Sequence, residues 1–135
     1  MTERTVNATW MGDYRVDVTA GRFRIRVDEP ETTTGGTDTG PQPTDFLLTA
    51  VASCFTMALA YSARKRGLDL PPLEVNATGT YDGPSFSDIV IEVVVDLPDA
   101  EVERLIAAAK RVCYVTNTLR RGPTITINHA EPGAG

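Results

Sequence analysis

The chain is poor in side chains that ionise near neutral pH, with one histidine, His129, and two cysteines, Cys54 and Cys113, among 135 residues. A lone histidine near the C-terminus argues against a metal site built on histidines and against a nucleophile–histidine triad. The cysteines stand 59 positions apart and neither belongs to a Cys-x-x-Cys pair, which argues against a zinc site or a thioredoxin-like motif. The glycine-rich run Gly35–Pro41 has no lysine and lacks the strand–glycine–helix spacing of a phosphate cradle. There is no excess of positive charge. With 13 basic against 18 acidic residues the net charge is −5, so neither nucleic acid nor an anionic membrane is the expected partner. The N-terminal MTERTVNATW has no apolar core of signal-peptide length, so the expected compartment is the cytoplasm, where cysteines stay reduced. No metal or resident cofactor is expected, and thiol chemistry is what remains.

What the chain does contain is one unusually apolar helix. From Phe46 to Tyr61 the only non-apolar residues besides Cys54 are Thr49, Ser53 and Thr56, and a helix apolar all round is a buried one. This run is short of the ~20 residues of a bilayer span and reads as a core helix. Pro41 and Pro43 precede it, Asp45 sits in its first turn, Arg64, Lys65 and Arg66 in its last, and Gly67 supplies a C-terminal cap. Three strands are expected before it, Thr5–Met11, Tyr14–Thr19 and Arg22–Asp28. In the third, Phe23, Ile25 and Val27 alternate with arginines. The loop 29–42 is too polar to pack and is expected to be mobile. After the helix, Leu73–Tyr81 and Ser87–Leu97 form a hairpin about Asp82-Gly83-Pro84. A second helix, Ala100–Val112, has Asp99 as N-cap and ends at Cys113. Tyr114–Arg121 forms a short helix, Thr124–Asn128 a last strand, and 130–135 a disordered tail. The whole, residues 1–135, is one α+β domain. A chain of this size is marginal for enclosing a central helix alone, so burial can call on a second subunit.

A thiol attacks peroxide as thiolate, and apolar burial disfavours the charge, so Cys54 needs a cation or donor beside it. Arginine suits that task because it stays charged and bridges thiolate and carboxylate. Asp45 precedes Cys54 by nine positions, about 2.5 turns at ~3.6 residues per turn. It therefore faces roughly the opposite side of the helix and positions an arginine more readily than it touches sulfur.

The segment PTDFLLTAVASCF, followed by CYVTNTLRRGPTITI and preceded by DYRVDVTAG and RFRIRVDEP, resembles the OsmC/Ohr family of osmotically induced and organic hydroperoxide resistance proteins over essentially the whole chain. The resemblance implies the OsmC-like fold, two antiparallel sheets around a buried central helix, completed by an intertwined homodimer with a site at each subunit interface. It implies a cysteine peroxidase acting on organic hydroperoxides and regenerated by an external dithiol or a lipoylated protein. Cys54 matches the peroxidatic cysteine, Cys113 the resolving one, and Arg15 the activating arginine. Asp45 stands where some branches carry a glutamate, and Tyr114 replaces the proline that usually follows the second cysteine. Phe46, Phe55 and Met57 are candidates for an apolar substrate pocket as well as for core packing. The shorter acid and the missing proline keep a second reading open: a non-catalytic dimer that binds a small apolar ligand or partner protein, or a redox sensor without turnover.

Overall fold

A computed structural model describes residues 2–133. The elements run β1 (Asn7–Trp10), β2 (Val16–Ala20), β3 (Phe23–Val27), α1 (Pro43–Lys65), β4 (Leu73–Asp82), β5 (Ser85–Val95), α2 (Asp99–Val112) and α3 (Tyr114–Arg121). β1, β2 and β3 form an antiparallel meander in that order, and β4 pairs with β5 in a two-stranded sheet. The expected three-stranded meander, central apolar helix and hairpin are present. The chain divides into two compact units, residues 1–50 with 77–91 and residues 51–76 with 92–135.

In the first unit, short turns set the register of the meander, in which Asp17 stands directly opposite Arg26. Asp17 Oδ1 accepts from Arg26 Nε at 2.6 Å, and Arg24 Nη2 lies 3.5 Å from Asp17 Oδ2. The Arg26 hydrogen bond, more than it is opposed by desolvation, holds the Asp17 carboxyl below its ordinary value. Two of the strand arginines are thus engaged across the sheet.

The loop expected to be mobile is tied down. Asp28, 1% exposed, is the one fully buried residue among the described residues of this unit. Its carboxylate accepts from the amide of Glu29 (2.7 Å), the amide and hydroxyl of Thr37 (3.4 and 2.5 Å) and the amide and hydroxyl of Thr39 (3.0 and 2.7 Å). Desolvation opposes the charge, yet these donors outweigh it and the carboxyl is driven well below the usual carboxylate range. The returning chain runs so close to β3 that a Cβ at Gly40 would strike the Arg26 carbonyl, and one at Gly36 would strike that of Pro30. A polar loop needs no apolar packing when a buried acid collects its donors.

In the second unit the core is Val51, Phe55, Ala58, Leu59 and Ala63 of α1 with Leu105 and Ala109 of α2 and Cys113 after it. These are the spacings of one helical stripe on each element. At 23 residues α1 is longer than its apolar run, and by length and composition it is long enough to cross a membrane. Its all-round apolarity is only partly buried by this chain, since Met57 and Tyr61 face outward. Gly67, at φ 67°, closes α1, with the Leu68 amide donating back to the Ala63 carbonyl at 2.9 Å.

Two further expectations are corrected. The N-cap of α2 is Pro98, without a side-chain capping bond, and Asp99 lies in the first turn, where its charge still suits the helix dipole. Among the described residues Thr124–Asn128 pairs with no strand, and Ile125 and Ile127 are 81% and 92% exposed. Residues 130–133 have no helix or strand, while the end of the expected tail, 134 and 135, lies outside the described residues.

Candidate functional site

Both cysteines fall in the second unit and both are free. Cys54 projects from the middle of α1 and is half-buried. Cys113 terminates α2 and begins α3, fully buried. The single residue between helices lets the chain change direction without a loop, and Cys113 accordingly takes an extended conformation, φ −77° and ψ 106°. That is close to the geometry a following proline imposes. Tyr114 therefore does not deprive Cys113 of that backbone shape.

The two thiols are close enough for Cys54 to act on the Cys113 thiol. Burial alone would raise the Cys113 thiol, but the hydroxyl and amide of Thr116, the Cys54 thiol and the Val115 amide outweigh it and hold it below the ordinary thiol value. No full capping bond forms between the Cys113 side chain and α3, so the effect is that of donors and peptide dipoles gathered at the first turn. Thr116 is itself buried, and its hydroxyl also reaches the Cys113 carbonyl at 3.5 Å.

Cys54 opens on a cavity of about 750 Å³, within the range of ligand pockets. Its walls include Met57 and Tyr61 from α1, Tyr114 and Asn117 from α3, and Arg111 and Arg121. Cys113 is not among them. The arrangement is thus an outer thiol on a mainly apolar wall with an inner thiol beside it, and it permits sulfur oxidation at the cavity followed by disulfide formation.

Of the apolar pocket candidates, Met57 stands on the cavity wall, whereas Phe55 is buried in the core and Phe46 belongs to the first unit. Arg15 and Asp45 also lie in the first unit. The Arg15 guanidinium is 3.2 Å from Asp13 Oδ2, and its Nη1 donates to the Thr37 hydroxyl at 3.5 Å. Because that hydroxyl donates onward to Asp28, the anchored loop also fixes one side of Arg15. Asp45 accepts from the Gln42 amide at 3.4 Å, the contact of an acid at a helix start.

Sequence reasoning passed over Thr116, Arg111, Tyr114 and Arg121 as parts of this surrounding. The available signal was Thr116 three positions after Cys113, the offset at which an N-cap meets the first turn of a helix.

Comparison with known proteins bears on the family and the fold. The profile of the family described as OsmC-like protein matches residues 36–128. An uncharacterized protein of Haloferax volcanii is 30% identical over 104 residues, covering 74% of each chain. Among solved structures, an OsmC-like protein from Mycoplasma pneumoniae superposes with a TM-score of 0.73 at 20% identity, over 88% of both chains. An organic hydroperoxide resistance protein from Legionella pneumophila gives 0.65 at 20% identity, over 89% of this chain and 90% of that one. One from Elizabethkingia anophelis gives 0.63 at 24% identity, over 90% and 91%. The fold is that of these structures, and the profile match over residues 36–128 establishes that the chain belongs to the OsmC-like family.

Proposed function

We propose that the protein is a cytoplasmic, thiol-dependent peroxidase that reduces organic hydroperoxides in a stress response. The observation that carries this reading is the pairing of Cys54, on an apolar cavity wall, with the buried Cys113 beside it. The Cys54 thiolate attacks the terminal peroxide oxygen, the O–O bond breaks, and the alcohol leaves with a proton. The resulting sulfenic acid is attacked by the Cys113 thiolate, which expels hydroxide, taken up as water, and forms the disulfide. A dithiol, free or carried by a lipoylated protein, returns both sulfurs to thiols. The apolar walls favour a peroxide with an organic tail over hydrogen peroxide. The structures similar to this chain include two organic hydroperoxide resistance proteins, which agrees with a redox and stress role. Steady consumption of cumene hydroperoxide in the presence of a dithiol tests the activity, and no consumption would refute it.

Arg15 is the proposed activator of the thiolate and Asp45 the proposed carboxylate that positions it, in place of the Asp13 carboxylate that Arg15 meets in this structure. Arg15→Ala is expected to slow the first oxidation of Cys54 on the order of 10²-fold, the scale of losing one charge-stabilising donor. An unchanged stopped-flow rate would reassign the role.

The working form in this reading is a homodimer. Among the described residues every fully buried apolar side chain belongs to the second unit, so the sheet β1–β3 lacks an apolar core of its own within one chain. Met57 on α1 and the alternating Ile125 and Ile127 likewise stand uncovered. Sedimentation velocity is expected to show a dimer that Ile125→Glu with Ile127→Glu weakens at least about tenfold, since each buried isoleucine is worth roughly 1.5–3 kcal/mol. A monomeric wild type would contradict it.

A further inference from the structure

The outer and inner placement of the thiols bears on how the oxidised protein is reduced, a step that the cavity alone does not explain. A disulfide is opened by a thiolate approaching one of its sulfurs, and the other sulfur departs with the bonding electron pair. Here the two sulfurs differ in both respects. Cys54 faces the cavity of about 750 Å³, while Cys113 is fully buried and absent from its walls. Cys113 is the N-cap of α3, so the unpaired amides of the first turn and the side chain of Thr116 lie beside it, and the Thr116 hydroxyl reaches the Cys113 carbonyl at 3.5 Å. Oriented N–H groups at a helix start favour negative charge.

Resting on the peroxidase reading for its disulfide, we propose that the regenerating dithiol attacks Cys54 Sγ from the cavity and that Cys113 leaves as a thiolate received by the first turn of α3, with Thr116 as the donor that holds it. One thiolate of the reductant forms a bond to Cys54 sulfur, the Cys54–Cys113 bond breaks, and its electron pair passes to Cys113. The second thiol of the reductant then attacks the mixed disulfide, releases Cys54 as thiolate and leaves the reductant as a cyclic disulfide. The electrons balance at two per cycle, and the Cys113 sulfur never meets an external molecule. The donors that hold the Cys113 thiol below its ordinary value also make that sulfur the better leaving group. Stabilising the reduced pair in this way makes the disulfide more easily reduced, the opposite of a structural cross-link.

The test does not depend on peroxide turnover. The disulfide is formed with diamide, exposed briefly to glutathione as a monothiol probe, quenched in acid and mapped by peptide mass. The expected adduct is on Cys54 with Cys113 free. Glutathione on Cys113, or no Cys54–Cys113 bond after diamide, overturns the proposal. In the Cys54→Ser background, thiolate absorbance near 240 nm reports the titration of Cys113 directly. Thr116→Val is expected to move that titration upward and, with Cys54 present, to slow glutathione reduction several-fold, while Thr116→Ser restores both. An unmoved titration with an unchanged rate removes Thr116 from the step. Glutathione on Cys54 in a protein that consumes no cumene hydroperoxide would reject the peroxidase reading and leave this route standing.

Discussion

Cys54→Ser is expected to abolish consumption of an organic hydroperoxide, and Cys113→Ser to stop the first oxidation at the Cys54 sulfenic acid, with no disulfide formed. The difference follows from where the sulfurs sit. Cys54 is half-buried on the cavity wall, so a substrate reaches it first, and serine cannot replace a thiolate as nucleophile at neutral pH. Cys113 is buried behind it, and its loss spares the first attack but removes the sulfur that would expel hydroxide from the sulfenic acid. Cys113→Ser is therefore expected to accumulate an addition of one oxygen on Cys54, visible by intact mass, in place of the loss of two hydrogens. If Cys54→Ser retained normal turnover, the mechanism would be wrong at its first step.

The second large effect is expected at Asp28→Asn. The carboxylate accepts from three amides and two hydroxyls, and an asparagine there presents an NH₂ group to donors that need an acceptor. The melting temperature is expected to fall by several degrees, and amide exchange at Thr37 and Thr39 to accelerate. The pH dependence has a definite sign. Because the folded carboxyl is depressed, its contribution is fully present above the unfolded value of about 3.9 and is lost as pH falls below that value toward the folded one. Wild type is therefore expected to lose stability on acidification through this range more steeply than the variant. Equal slopes would show that Asp28 is not the group that ties the loop. Because Thr37 also accepts from Arg15, a parallel slowing of Cys54 oxidation in this variant would connect the loop to the arginine proposed as activator.

The features legible in the sequence were those set by local pattern. The apolar run about Cys54, bounded by prolines and Gly67, gave α1 because composition, length and cap agree, and the alternation from Phe23 to Val27 gave β3. What stayed hidden depends on residues far along the chain or beyond it. Asp28 read as the last polar position of a strand, and nothing local says that Thr37 and Thr39 return to it. Thr124–Asn128 alternates as a strand should, yet alternation states which side chains share a face and not where a partner strand lies. Asp99 had the chemistry of an N-cap, but Pro98 takes that position and places the acid one residue inside. At the site, Cys54 stood out as a thiol within the apolar helix, while its role and its pairing with Cys113 came by resemblance. That Cys113 is the inner thiol and lies against Thr116 emerges only when α2 and α3 meet at a single residue.

The most direct measurement of the peroxidase reading is the intact mass of the reduced protein after one equivalent of cumene hydroperoxide, followed by addition of a dithiol. The mechanism predicts loss of two hydrogens, mapped to a Cys54–Cys113 bond and reversed by the dithiol. An unchanged mass, with both thiols still free to alkylate after unfolding, would contradict it and identify the cavity as a binding site without thiol chemistry.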